Sequence, residues 1–276
     1  MASVWSYEGR RVVVSGGGGA GMGAATVTEL ADLGAEIHVL DLKEPPVEVK
    51  SYQSVDLKDP DAAAGAIEKV GAPIHALFNC AGLPGPPFSD LDTMLVNFVG
   101  MRHLAELCAD LMTDGGGAVA SISSTAGSGY LQNIEKWMPL VTTNGFAEAK
   151  KWCEEHPDEI ATGYAPSKEA ICVWTHWSAM DFAKRDIRVN CISPGPTDTP
   201  MMPAFEDFAG KQLIDMFTAG AGRRSRPEEQ AYPLIFLNSR AASYVSGANF
   251  VTDGGTLGAL MTGKIELSFD AETNLG

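Results

Sequence analysis

The sequence predicts an α/β fold, a doubly wound parallel sheet with helices on both faces, and two observations predict it. A short β-branched run, Arg11-Val12-Val13-Val14-Ser15, empties into Gly16 to Gly19, then Ala20, Gly21, Met22 and Gly23, and a helical pattern follows through Leu33 and Gly34. A second apolar run, Glu36-Ile37-His38-Val39-Leu40, comes straight after and ends in Asp41. Strand, glycine turn, helix and strand in that order open a βαβ unit. With 276 residues, 45% of them hydrophobic and 20% charged, the chain has enough apolar material to form one large domain, 1–276.

The turn comes first. Its glycines let the backbone bend tightly and let a pyrophosphate approach the amides at the start of the next helix, where the helix carries partial positive charge. Asp41 lies about 20 residues past the turn, at the end of the second strand, where a carboxylate accepts hydrogen bonds from an adenosine ribose. The same charge repels a 2′-phosphate, which points to NAD rather than NADP. Further on, Tyr164 and Lys168 stand at i and i+4 of what reads as a helix start, with Pro166 tolerated in the first turn. An ammonium on the same face favours the phenolate, so the phenol becomes able to exchange a proton nearer neutrality.

Composition narrows the rest. A net charge of −15 and a pI near 4.7 argue against nucleic acid or an acidic membrane surface as partner. The five cysteines, Cys80, Cys108, Cys153, Cys172 and Cys191, are scattered with no metal-ligand spacing, which suits a reduced cytoplasmic protein without a metal site. Residues 1–11 have no apolar signal core, and no run is long and apolar enough to span a bilayer. His38, His75, His103, His156 and His176 fall in no motif and read as structural or surface residues.

These residues resemble the short-chain dehydrogenase/reductase family in its compact, Rossmann-type branch, and the match runs from about Arg11 to Gly255. Gly17, Gly21 and Gly23 fit its G-x-x-x-G-x-G, with Gly16 where the family usually has Thr or Ser. The resemblance implies about seven strands. It places Asp56 and Leu57 at the end of the third, and Asn79-Cys80-Ala81-Gly82 after the fourth, expected over Ile74 to Phe78. Ala118 to Ile122 reads as the fifth strand, Ile187 to Ser193 as the sixth and Asn249 to Thr252 as the last, followed by Asp253-Gly254-Gly255. The implied cofactor contacts are Gly17, Gly21, Met22, Gly23, Asp41, Leu42, Asp56, Leu57, Asn79, Ala81, Gly82, Tyr164 and Lys168. Pro194, Gly195, Thr197 and Thr199 of Pro194-Gly195-Pro196-Thr197-Asp198-Thr199 complete that set. The implied catalytic residues are Asn97, Ser124, Tyr164 and Lys168.

The implied reaction is NAD-dependent hydride transfer between a secondary alcohol and a ketone. Tyr164 would serve as base or acid, Lys168 would lower its pKa and bind the nicotinamide ribose, Ser124 would hold the substrate oxygen, and Asn97 would support Lys168 through a water relay. A homo-oligomer is also implied, with dimer or tetramer open. Two rivals remain: a silent NAD-binding regulator, disfavoured by the presence of Ser124, Tyr164 and Lys168, and a nucleotide-sugar epimerase or dehydratase, disfavoured by the chain's shortness.

Three stretches stand apart. Between Ser124 and Tyr164 the chain exceeds the family's usual length, so 127–163 reads as an insertion of two short amphipathic helices broken at Thr142-Thr143-Asn144-Gly145, similar to the bacterial 3α-hydroxysteroid dehydrogenase/carbonyl reductase branch. Its Trp137, Met138, Phe146 and Trp152 suit core, subunit contact or substrate contact. The segment 197–222, with Met201, Met202, Phe205, Phe208, Leu213, Ile214, Met216 and Phe217, reads as a lid with an adaptable apolar wall, suited to a bulky steroid, terpenoid or aryl alcohol. The extension 256–276 is placed to cover the site or reach across a dimer, and its last residues read as disordered.

Overall fold

The structure, a computed structural model, describes residues 3–112 and 116–266. The expected disorder at the end of the chain falls outside them. Seven strands form one parallel sheet: β1 (Arg11–Ser15), β2 (Glu36–Asp41), β3 (Ser51–Ser54), β4 (Ala76–Asn79), β5 (Gly117–Ile122), β6 (Ile187–Pro194) and β7 (Asn249–Thr252). Their spatial order is β3-β2-β1-β4-β5-β6-β7. The direction of winding reverses between β1 and β4, so a crevice opens at their carboxyl ends, where Ser15 pairs with Asn79. Strand β4 starts two positions later than the sequence suggests: Ile74 N donates outside the sheet, to Leu111 O, and contact with β1 opens only where His75 N donates to Arg11 O.

The helices are α1 (Met22–Asp32), α2 (Pro60–Val70), α3 (Asp90–Met94), α4 (Met101–Leu111), α5 (Ile134–Val141), α6 (Gly145–Glu155), α7 (Tyr164–Ala183), α8 (Met202–Ala209), α9 (Lys211–Met216), α10 (Pro227–Asn238) and α11 (Thr256–Met261). A π-helical turn, Leu95–Gly100, joins α3 to α4. Successive residues of a strand point to opposite faces. Val12 and Val14 therefore meet Val27 and Leu30 of α1 and Leu234 of α10, while Val13 turns the other way, into the layer of α2, α4 and α7. With both faces covered, the central strands are apolar almost throughout, as a parallel sheet requires.

The segment 127–163 holds α5 and α6, and it packs into the second layer through Trp137, Leu140, Phe146 and Ala149. Arg102 of α4, wholly buried, secures the break between the two helices. Its guanidinium donates to the carbonyls of Leu140, Val141 and Gly145, at 3.3, 3.4 and 2.7 Å. A cation at a helix C-terminus satisfies carbonyls that have no partner of their own. Among the described residues, no helix is long and apolar enough to cross a membrane.

Candidate active site

The crevice is walled on one side by the glycine turn, and its glycines have steric reasons to be there. Gly16 sits at φ +70°, and a Cβ on it would strike the Ala81 backbone. A Cβ on Gly23 would strike the Gly16 carbonyl. The departure at Gly16 from the family's usual Thr or Ser is thus a packing requirement in this chain, one hidden in the sequence by the glycines around it. Helix α1 starts with Gly21 at its cap and no side chain bonded to it, so its first N–H groups remain free donors facing the crevice. This cradle fits a pyrophosphate.

Asp41 ends β2 beside the turn. One carboxylate oxygen accepts from Gly18 N at 2.8 Å and the other from Lys43 N at 2.9 Å, so the carboxylate expected at a ribose pins the turn. Each oxygen keeps a further lone pair. Leu42 beside it is exposed. Asp56 accepts from Lys58 N at 3.0 Å and Leu57 is buried in the core. Asn79 spends its side chain on core strands, accepting from Ser15 Oγ at 3.4 Å and donating to Ser121 Oγ at 3.3 Å. Gly195 packs on Asp253, and Thr197 is buried with its hydroxyl 2.8 Å from Ser225 Oγ. Met22, Pro194, Gly195, Thr197 and Thr199 all reach the neighbouring apolar cavity.

Tyr164 is the first residue of α7, and its backbone is held by a tight γ-turn. Gly163, at φ 59° and ψ −50°, lets Tyr164 N donate to Thr162 O at 2.5 Å, and Thr162 itself sits at φ +73°. Positive φ in a β-branched residue is strained. That strain stands directly before the tyrosine. Lys168 follows one turn later, buried, with its ammonium 5.4 Å from the Tyr164 ring centre and donating to the Ile122 carbonyl at 2.8 Å. Ser124 begins the 3₁₀ turn after β5 and accepts from Ala126 N at 3.1 Å; it stands with Tyr164 on the wall of one cavity.

Asn97 lies in the π-helical turn, a feature often found at working sites. Its Oδ1 accepts from Leu83 N at 2.7 Å, and its Nδ2 donates to Leu83 O and to Ser167 Oγ, each at 3.0 Å. The side chain therefore ties the Gly82-Leu83 loop to α7 and has no bond to Lys168. Ser167 and Leu83 carried no signal in the sequence.

Burial governs the two titratable groups. It pushes the Tyr164 phenol up to about 12, with the Ser124 contact drawing the other way, and pushes the Lys168 ammonium down to about 8. The expected lowering of Tyr164 by Lys168 does not occur here: the ammonium is spent on Ile122 O, and desolvation of both groups is the larger effect. Cys80, beside the turn, is likewise pushed up to about 12 by burial and behaves as a small apolar residue.

Tyr164 and Ser124 open onto a cavity of about 260 Å³ walled by Met22, Pro84, Met201, Met202, Phe205, Phe208, Leu213, Ile214 and Phe217. Among the described residues, no charged side chain lines it. The Phe205 ring meets the Tyr164 ring edge-on at 4.7 Å between centroids. Nothing from α5 or α6 reaches this cavity. Trp137 instead donates to Glu169 Oε2 at 2.6 Å and is core, which removes its substrate-contact reading.

A family model described as short chain dehydrogenase matches residues 11–135, and one described as Enoyl-(Acyl carrier protein) reductase matches 155–256. The 3-alpha-hydroxysteroid dehydrogenase/carbonyl reductase of Comamonas testosteroni is 32% identical over 88% of this chain and 95% of its own. This chain belongs to the short-chain dehydrogenase/reductase family. Coniferyl-alcohol dehydrogenase of a Pseudomonas species is 29% identical over 89% of this chain and 96% of its own. The crystal structure of 3-alpha-hydroxysteroid dehydrogenase from Pseudomonas sp. B-0831 complexed with NADH superposes with a TM-score of 0.75, at 26% identity, over 93% of this chain and all of that one. As a short-chain dehydrogenase the protein is an oxidoreductase of alcohols and ketones, its sheet adapted to a nicotinamide cofactor.

Proposed function

We propose that this dehydrogenase uses NAD to interconvert a bulky, uncharged hydrophobic secondary alcohol and its ketone. The observation that carries the reading is a half-buried Tyr164 phenol, with Ser124 and Lys168 beside it, at the wall of a cavity that no charged side chain lines among the described residues. A steroid, terpenoid or aryl alcohol suits that cavity, and a charged substrate would lose its hydration there without a partner. Asp41 supports NAD over NADP, since its carboxylate faces the turn at hydrogen-bonding distance and repels a further phosphate.

When bound, the nicotinamide carries the hydride to or from the carbinol carbon. Ser124 holds the substrate oxygen and Tyr164 exchanges the proton on it. A phenol held near 12 is loaded with its proton at neutral pH, as ketone reduction requires. In the direction of oxidation Tyr164 must accept that proton, and Lys168, bonded to Ile122 O in this structure, would favour that only with its ammonium turned toward the Tyr164 hydroxyl. Asn97 acts at one remove, holding the Gly82-Leu83 loop against α7. The same reading takes 1–276 as one cofactor-binding domain with 197–222 as its lid, working in the cytoplasm as a homo-oligomer.

The test is nicotinamide absorbance over steroid, terpenoid, aryl and polyol alcohols with NAD and with NADP, with Tyr164→Phe alongside. Turnover with NAD on a hydrophobic class is expected, reduced in the variant by at least about 100-fold with cofactor Kd within twofold. A preference for polyols or for NADP, or a variant keeping more than a tenth of the rate, refutes the respective part.

A further inference from the structure

The outer side of the 197–222 segment carries a device that its apolar inner side does not need. Its two ends are pinned together where Ser225 N donates to Pro196 O at 3.0 Å and Asp198 N donates to Ser225 O at 2.9 Å. Arg224 leaves that fixed point and reaches across both helices. Its Nη2 donates to Glu206 of α8 at 2.5 Å and to Asp215 of α9 at 2.9 Å. Among the described residues, no other side chain outside these two helices bonds to a side chain of either.

Packing gives the segment little else to hold it. Helix α9 buries no residue at all, and α8 buries only Met202. Exposed ion pairs generally contribute little, but the Arg224 side chain is only 18% exposed and is shared between two helices, so the pairs act as a network. Glu206 directly follows Phe205, the residue whose ring packs on Tyr164. Releasing Glu206 therefore releases the wall of the substrate cavity.

We infer that Arg224 is a positioning residue, a latch that holds α8 and α9 over Tyr164 and so sets the affinity for a hydrophobic substrate it never touches. The kinetic side of this inference rests on the proposed alcohol and ketone chemistry; the mechanical side does not. A lysine at this position could not serve two carboxylates with the same fixed geometry, since only the guanidinium offers a planar fork of donors.

The experiment uses the full-length protein with Arg224→Gln, Arg224→Lys and Glu206→Gln, the last testing the latch from the lid side. Folding is checked by circular dichroism. Limited trypsin digestion, read by mass spectrometry at the bond after the exposed Lys211 of α9, reports opening without any need for turnover. Cleavage there is expected to accelerate at least about fivefold in Arg224→Gln and Glu206→Gln, with Arg224→Lys in between. The KM for the best hydrophobic alcohol should rise by a similar factor, while kcat and the Kd for NAD stay within twofold. Unchanged cleavage in both variants overturns the latch whatever KM does. Accelerated cleavage with an unchanged KM, or with kcat falling instead, overturns its role in substrate affinity. Should the parent turn over no alcohol, the proposed reaction has failed, and the cleavage rates alone decide the latch.

Discussion

The glycine turn at 16–23 and the segment at 197–222 flank one crevice and are built on opposite terms. In the turn three of the glycines have no slack: a methyl on Gly16, Gly18 or Gly23 would meet backbone atoms, and Asp41 bonds the Gly18 amide. In the other segment only Gly220, at the end that meets Gly254, has backbone in the way of a methyl; one on Gly210 or Gly222 would meet nothing within 4 Å, and one helix buries no residue. Backbone atoms that cannot move suit a ligand recognised by its charge and shape. A wall of Met and Phe held by a few ion pairs suits a ligand recognised by apolar contact, because the wall can shift to meet it.

The sharpest way to break this contrast is to add the same methyl on each side. Gly23→Ala should raise the Kd for NAD by at least about tenfold, since overpacking against the Gly16 carbonyl costs about 1–3 kcal/mol and moves the amides of the turn. Gly222→Ala, at φ +70°, should cost about 1 kcal/mol of stability through backbone strain alone and leave that Kd unchanged. Fluorescence titration with NAD compares them, and equal losses of affinity would show that the two regions are not differently built. Next in size, Phe205→Ala should raise KM for a bulky hydrophobic alcohol by about fivefold to tenfold, through lost apolar contact beside Tyr164, with a smaller change in kcat. A pure kcat effect would place Phe205 with the chemistry rather than with the wall.

The smallest effect concerns the site between the two regions. Lys168 is pushed down to about 8 by burial, from an ordinary 10.5, so the native protein holds this proton less tightly than the unfolded chain. The penalty is complete below about pH 8 and is relieved as pH rises toward 10.5, where both states have lost the proton. Lys168→Met should therefore raise the thermal midpoint by a few degrees at pH 7, and the gain should shrink between pH 8 and 10. A gain that grows with pH would show that the ammonium stabilises the fold.

How much of this was legible in the chain depended on whether a local pattern carried it. The Val12-Val13-Val14 run, the glycines after it, Asp41 at a strand end and the Tyr164 to Lys168 spacing are each local, and a few neighbouring residues suffice to place each of them. Ser167 and Leu83 as the partners of Asn97, the Ile122 carbonyl as the partner of Lys168, and Glu169 as the partner of Trp137 were not legible, because each pairs residues from distant parts of the chain. The direction of the Tyr164 pKa belongs to the same group. From the sequence, a neighbouring ammonium argues for a lower value; in the fold, burial outweighs it.

By itself the sequence determined the order of the strands and helices, the position of the glycine turn proposed for a phosphate and the Tyr164 to Lys168 spacing proposed for acid-base chemistry, since periodicity, backbone freedom and i to i+4 spacing act over a few residues. Only the tertiary structure decided that Trp137 is core, that Gly16 has no room for a side chain, that no charged side chain among the described residues lines the cavity beside Tyr164, and that Arg224 reaches two helices at once. Those properties depend on what stands opposite each residue and how much water is left between them, and in this protein the sheet and the packing of its two layers set both.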